Sequence, residues 1–228
     1  MDTTSTSCGG PMWLVVTGGD PVDPVVLRHV PGGVPVIGVD SGIGHALALG
    51  LHVDVAVGDL DSVSPADLAA VEAAGATVER HPTAKDATDL ELGLHAAVAR
   101  GARRVVVLGG HGGRLDHLLA NALLLAAPPF AEVSVRAHMG SATVTVARPG
   151  RVTAVGGAVG ATVSLLPVGG PATDVVTAGL RYPLRREALE PGSTRGVSNV
   201  VSDAAASVTL GSGVLLVLVV GLVDGEAS

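Results

Sequence analysis

The chain has 228 residues, 47% of them apolar, and a formal net charge of −7, enough for one large domain or two small ones with a sizeable core. The acidic balance excludes a general nucleic-acid binder, which presents a basic surface. The single cysteine excludes an intrachain disulfide framework and fits a reducing compartment.

Only 1% of residues are aromatic and 32 are glycine, so the core falls to Val, Leu and Ala, with many tight turns. Residues 1–12 lack the basic start and apolar run of a signal peptide. The apolar run 214–223 is too short to span a bilayer as a helix. A cytoplasmic protein without membrane or nucleic-acid partners is expected.

Trp13-Leu14-Val15-Val16-Thr17 reads as the first strand, closed by the turn Gly18-Gly19-Asp20-Pro21. Val36-Ile37-Gly38-Val39 is the second and runs into Asp40-Ser41-Gly42. Ile43, Ala46, Leu47 and Leu49 then mark a short helix stopped by Gly50. Val53-Asp54-Val55-Ala56-Val57 alternates as a third strand and ends at Gly58.

After Gly58 comes Asp59-Leu60-Asp61-Ser62. If the strand extends to Asp61, the two aspartates point to one side. They repel unless a cation sits between them or they face water. Oxygen donors of this kind suit a hard divalent ion, Mg2+ when phosphates share the site. An Asp-x-Asp at a strand end also serves as a turn with a helix cap, and these residues alone leave both readings open.

Ser64 as N-cap and Pro65 at the first helical position open a helix that runs to Gly75. Thr77-Val78-Glu79-Arg80 is a short strand. Lys85-Asp86-Ala87-Thr88-Asp89-Leu90-Glu91 begins the next helix, and Gly101 stops it. Asp86 and Asp89, three apart, share a face if both are helical. Lys85 is the chain's one lysine. Val105-Val106-Val107-Leu108 is a solid apolar run typical of a strand buried on both faces. Five residues, Gly109-Gly110-His111-Gly112-Gly113, follow it, and Arg114-Leu115-Asp116-His117 leads into a helix over 118–126. Pro128-Pro129 ends that helix, and 133–136 is one more strand.

Up to residue 139 strands alternate with helices, the pattern of an open α/β sheet, in which ligands bind outside the C-terminal strand ends. The loops at Asp40-Ser41, 59–62, 85–89 and 109–117 fall at those ends and converge on one edge. Beyond 139, short alternating runs separated by Gly and Pro (143–146, 162–166, 207–210, 214–220) read as a small all-β domain. The expected fold is therefore an N-terminal open, mainly parallel α/β domain over 1–139 and an all-β domain over 140–228.

Taken together, Asp40-Ser41-Gly42, Gly58-Asp59-Leu60-Asp61-Ser62, Lys85 to Glu91 and Gly112-Gly113-Arg114-Leu115-Asp116-His117 occur in the order and spacing of the thiamine pyrophosphokinase (thiamine diphosphokinase) family. Ser164-Leu165-Leu166-Pro167, Gly179-Leu180-Arg181-Tyr182-Pro183-Leu184 and Gly196-Val197-Ser198-Asn199 extend the resemblance through the second half. It implies an α/β catalytic domain binding ATP and Mg2+, then a β-sandwich that binds thiamine and dimerises. It also implies a homodimer with its active site at the subunit interface, and the reaction of ATP with thiamine to give thiamine diphosphate and AMP.

By the same resemblance Asp59, Asp61 and Asp89 are the expected Mg2+ ligands. With Arg114 and Asp116 they form the expected catalytic set. Substrate and nucleotide contacts carry over to Asp40, Ser41, Ser62, Lys85, Asp86, Thr88, Gly112, Gly113 and His117. Ser198 and Asn199 match the thiamine-side loop, acting from the partner subunit. Arg114 suits a bidentate clamp on phosphate oxygens, Lys85 a point charge on the same group, and the glycines at 109–113 a close approach of backbone N–H groups.

Several residues carry a second reading. Asp116 is either the N-cap of the helix over 118–126 or the group that orients substrate or accepts its proton. Asp86 is a second-shell ligand or a helix N-terminal acid. Asp40 holds substrate or closes a turn. Tyr182 is core or lies under a thiamine ring. No chemistry falls to His117, which sits four residues before Asn121 and can bond to it. His29, His45, His52, His95 and His138 are scattered and show no metal-ligand spacing.

The chain departs from the family at Ser41, where glycine is frequent: a left-handed backbone would cost more at serine. It also lacks a tryptophan in its second half, leaving Tyr182 or aliphatic groups for a ring. A Mg-dependent nucleotide pyrophosphohydrolase using the same carboxylates, and a catalytically silent thiamine or nucleotide sensor, are the alternatives. A generic dinucleotide fold is disfavoured, because no clean Gly-x-Gly-x-x-Gly follows the first strand.

Overall fold

The computed structural model describes residues 10–82 and 86–221, so Lys85 lies outside the described residues. The chain forms two compact units: residues up to 114 with 129–135, and 115–128 with the remainder from 136. Where sequence texture places one boundary at 139/140, the chain thus crosses between units three times.

The first unit is an open parallel sheet. Its strands are β1 (Met12–Val16), β2 (Val36–Val39), β3 (Val55–Gly58), β4 (Thr77–Arg80) and β5 (Arg104–Leu108). They lie in the order β5-β1-β2-β3-β4, all parallel. Alternation along β1 sends Leu14 and Val16 to one face, into a core with Ile43 and Ala46 of α1 (Gly42–Ala48) and Val71 of α2 (Pro65–Ala73). On the other face Val15 and Val39 close on Gly93 of α3 (Asp89–Ala99), where a Cβ would collide with Val39. Helices therefore cover both faces, and β1, β2, β3 and β5 between them are almost continuously apolar, whereas edge strand β4 is not.

The second and third helices start where their caps dictate. Ser64 Oγ accepts the Asp67 N–H at 3.0 Å ahead of Pro65. Thr88 Oγ1 accepts the Glu91 N–H at 3.3 Å. That cap corrects one expectation: α3 begins at Asp89, so Asp86 precedes the helix and the two acids do not share a helical face.

The topology also marks where a ligand would enter. From β1 the chain builds the sheet in one direction through β2, β3 and β4, then returns to lay β5 on the other side of β1. Strand order reverses between β1 and β5, and the C-terminal ends of strands at such a reversal open a crevice.

In the second unit α4 (Leu115–Leu124) opens three residues before the expected start. Asp116 therefore sits in its first turn and is not its N-cap. Here too lie β6 (Ser134–Met139, joining from residue 136), β7 (Ala142–Ala147), β8 (Thr153–Ala154), β9 (Thr162–Pro167) and β10 (Ala172–Ala178). β11 (Arg185–Leu189), β12 (Asn199–Val200), β13 (Ser207–Thr209) and β14 (Leu215–Val220) complete it.

Strands β12-β9-β14-β7-β6 form one antiparallel array and β11-β10-β13-β8 a second sheet. Val163, Leu165 and Val217 from the first share one core with Val175, Leu189 and Val208 from the second. This is a two-layer sandwich with alternating inward apolar positions. Among the described residues no helix is long and apolar enough to cross a membrane.

Candidate active site

The residue after β2 is Asp40, held at φ 48°. The residue ending β3 is Gly58, at φ 140°. β2 and β3 are neighbours, so the loops leaving their C-terminal ends start side by side. β3 stops at Gly58, and strand alternation is not what brings Asp59 and Asp61 together. The turn does so: Leu60 takes φ 65° and is 5% exposed, and the Asp61 N–H donates to Asp59 Oδ1 at 3.2 Å. The buried leucine acts as a peg, leaving the flanking acids on the outer side.

Asp40, Asp59 and Asp61 each bring a carboxylate oxygen within 4.8 Å of the others. The Ser62 hydroxyl donates a short hydrogen bond to Asp40 Oδ2. Among the described residues Asp40 Oδ1 is buried with no hydrogen-bond partner. Asp59 raises the Asp61 carboxyl above its ordinary 3.8, through their hydrogen bond and through its charge; burial and the charges of Asp40 and Asp89 add to this. A carboxyl raised on folding contributes stability below its unfolded pKa and loses it as pH rises through the folded one. Near neutrality the cluster is thus an unfavourable concentration of negative charge.

A divalent cation reverses that sign. The donors are oxygen only, the orphaned Asp40 oxygen lacks any other counterpart, and the set matches the preferences of a hard ion such as Mg2+. The cluster holds Asp40 as its third member. Asp89, expected as the third ligand, stands at the first position of α3 and acts on Asp61 through its charge.

The β1 and β5 loops form the other wall of the first unit. The Gly110 N–H donates to the Gly18 carbonyl and the Asp20 N–H to the His111 carbonyl, each at 2.8 Å. Gly109 sits at φ 96° with its Cα against the Thr17 carbonyl, a position closed to any side chain. Gly18 leaves the space that Ser41 Oγ occupies. Ser41 itself is right-handed, at φ −55°. The cost expected for serine there does not arise; the left-handed residue is Asp40. Sequence reading treated 18–20 as a turn alone, although a Gly-Gly pair after the first strand of a sheet that reverses at β1 is a signal for this crevice.

Other expected residues are placed as follows. Gly112 and Gly113 have φ 98° and 48°, and Arg114 is exposed just after them, its N–H bonded to the Gly112 carbonyl at 2.7 Å. Asp86 is exposed, and Thr88 serves as the cap of α3. In the second unit Asp116 and His117 are exposed in the first turn of α4. Ser198 is exposed at φ 59°, its N–H bonded to Ser164 Oγ at 3.2 Å, whereas Asn199 is buried.

Comparison with known proteins adds identity to this geometry. Residues 34–136 match the model of the thiamin pyrophosphokinase catalytic domain, and residues 152–215 match that of the thiamin pyrophosphokinase vitamin B1 binding domain; together they cover more than half of the chain. The chain is 26% identical over 182 residues to a thiamine pyrophosphokinase of Bacillus subtilis, covering 80% of this chain and 85% of that one. A solved thiamine pyrophosphokinase structure from Bacillus subtilis superposes with a TM-score of 0.81 at 25% identity, over 93% of this chain and 100% of that one. A thiamin pyrophosphokinase structure from Geobacillus thermodenitrificans gives 0.79 at 28% identity, over 93% and 99%.

The crowding makes a direct prediction. In a carbon-detected NMR titration Asp61 should titrate above 3.8, and Asp59→Asn should move it back toward the ordinary carboxylate range. A titration of Asp61 that Asp59→Asn leaves in place would contradict the cluster.

Proposed function

The chain belongs to the thiamine pyrophosphokinase family, and we propose how its residues divide the work of that enzyme. The reaction transfers the pyrophosphoryl group of ATP to the thiamine hydroxyl, giving thiamine diphosphate and AMP. What carries the assignment is the order of the two matches: a catalytic-domain match containing all three clustered carboxylates, then a vitamin B1 binding match over the sandwich. Accordingly the catalytic-domain match, residues 34–136, is assigned ATP and Mg2+, and the vitamin B1 binding match, residues 152–215, is assigned thiamine.

Phosphoryl transfer is chiefly positioning and charge neutralisation. Asp40, Asp59 and Asp61 would hold Mg2+, with Asp89 beside them, and the ion supplies neutralisation of the ATP phosphates. The 109–113 loop offers backbone N–H groups to the nucleotide, and Arg114 and Lys85 hold phosphate oxygens. The thiamine oxygen attacks the β-phosphorus, its proton passes to solvent, the bond from the β-phosphorus to the α,β-bridging oxygen breaks, and AMP leaves with that oxygen. Ser62 fixes Asp40 through its hydrogen bond, and Ser41 adds a substrate contact from the same unit.

A homodimer with its site at the subunit interface is supported by α4. Leu115, Leu119 and Leu123, at helical spacing on one face, are 69%, 54% and 52% exposed. Three exposed leucines in a row on one helix are a surface that a second copy would cover. A cytoplasmic location fits the single cysteine and the acidic charge.

Two measurements test this reading. Release of AMP from ATP and Mg2+ should require thiamine, and Asp61→Ala should lower kcat by about 10²-fold or more; AMP release indifferent to thiamine would mean hydrolysis. In sedimentation velocity the enzyme should run as a dimer and Leu119→Glu as a monomer. A dimer unaffected by that charge would clear α4 of the role.

A further inference from the structure

We propose that Asn199 is a positioning residue for thiamine: its side chain fixes the loop carrying Tyr182 and makes no contact with the vitamin. The inference rests on the reading of the sandwich as the thiamine-binding part. It reverses the expectation that Asn199 touches substrate.

Asn199 is 8% exposed, at the start of the two-residue strand β12. Its Oδ1 accepts the N–H of Tyr182 at 3.0 Å and that of Val200 at 2.9 Å. Its Nδ2 donates to the Tyr182 carbonyl at 2.7 Å. Both lone pairs of the oxygen and one amide hydrogen are thus engaged by backbone. Tyr182 presents one donor and one acceptor together, which a carboxamide matches and a carboxylate cannot, since it has no hydrogen to give.

The surrounding loop explains why the clamp matters. Leu180 and Leu184 are buried at its ends, and the Leu184 N–H donates to Thr177 Oγ1 at 2.8 Å. The Arg181 N–H is held by the Val200 carbonyl at 2.9 Å. At the crest, Asn199 holds both the N–H and the carbonyl of Tyr182, while the Tyr182 side chain is 56% exposed. Exposed Val197 and Ser198 directly precede Asn199. Tyr182, Val197 and Ser198 therefore remain available to a ligand, whereas the Asn199 side chain is consumed in placing them.

The full-length enzyme provides its own reporters. Tyr182 is the only tyrosine, so 3-fluorotyrosine labelling gives one fluorine resonance; Asn121 and Asn199 are the only carboxamide residues, as the chain has no glutamine. In Asn199→Asp and Asn199→Ala the fluorine resonance should move, and the KM for thiamine should rise about tenfold or more, with kcat at saturating thiamine and the KM for ATP retained. In the unaltered enzyme, which needs no variant to fold, the Asn199 amide hydrogen held by the Tyr182 carbonyl should exchange slowly with and without thiamine. A raised KM with an unmoved fluorine signal would mean direct contact and overturn the proposal. So would a moved signal with an unchanged KM, or fast exchange of the Asn199 amide. An unaltered enzyme that binds no thiamine in calorimetry would instead overturn the assignment of the sandwich on which the proposal stands.

Discussion

Three carboxylates held within 4.8 Å of one another repel, and the ends of β2 and β3 hold them together regardless. Asp40 adopts φ 48° and Leu60 φ 65°, conformations that cost L-residues roughly 1–2 kcal/mol each. Burial of the Leu60 side chain offsets part of that cost. Repulsion surfaces in the raised Asp61 carboxyl and in an Asp40 oxygen buried without a partner. Strain and like charge concentrated at one point are features that a bound cation and its phosphates turn to advantage.

The parallel sheet makes this arrangement possible. β1, β2, β3 and β5 are buried on both faces, so their C-terminal ends are fixed by packing on α1, α2 and α3 and not by the loops themselves. The loops are thus relieved of structural work except at close approaches, where glycine is required: Gly18 under Ser41 and Gly109 against Thr17. In the sandwich the division is similar. Buried Leu180, Leu184 and Asn199 hold a loop whose exposed residue is Tyr182.

Much of this was legible in the sequence. β2 and β4 fall on the expected residues because solid or alternating runs bounded by Gly and Pro leave little choice of register. What sequence missed has physical causes. β10 bulges at left-handed Asp174, and β11 carries Arg185, Arg186 and Glu187, so neither shows clean alternation. α4 buries none of its residues, which hides its start: Leu115 reads as loop when no inward face marks the first turn. Aspartates one apart suggested a strand pleat, where a buried leucine peg does the work. At Asn199 the residue type pointed to a polar contact, and only three dimensions show the contact is internal.

The proposed function depends on one cation site formed by Asp40, Asp59 and Asp61 at the phosphates of ATP. Crystals grown with Mn2+ and a non-hydrolysable ATP analogue test it directly by anomalous diffraction. An anomalous peak is expected within coordination distance of all three carboxylates and of the analogue's phosphates. A peak bound by other residues, with the analogue seated away from Asp40, Asp59 and Asp61, would contradict it.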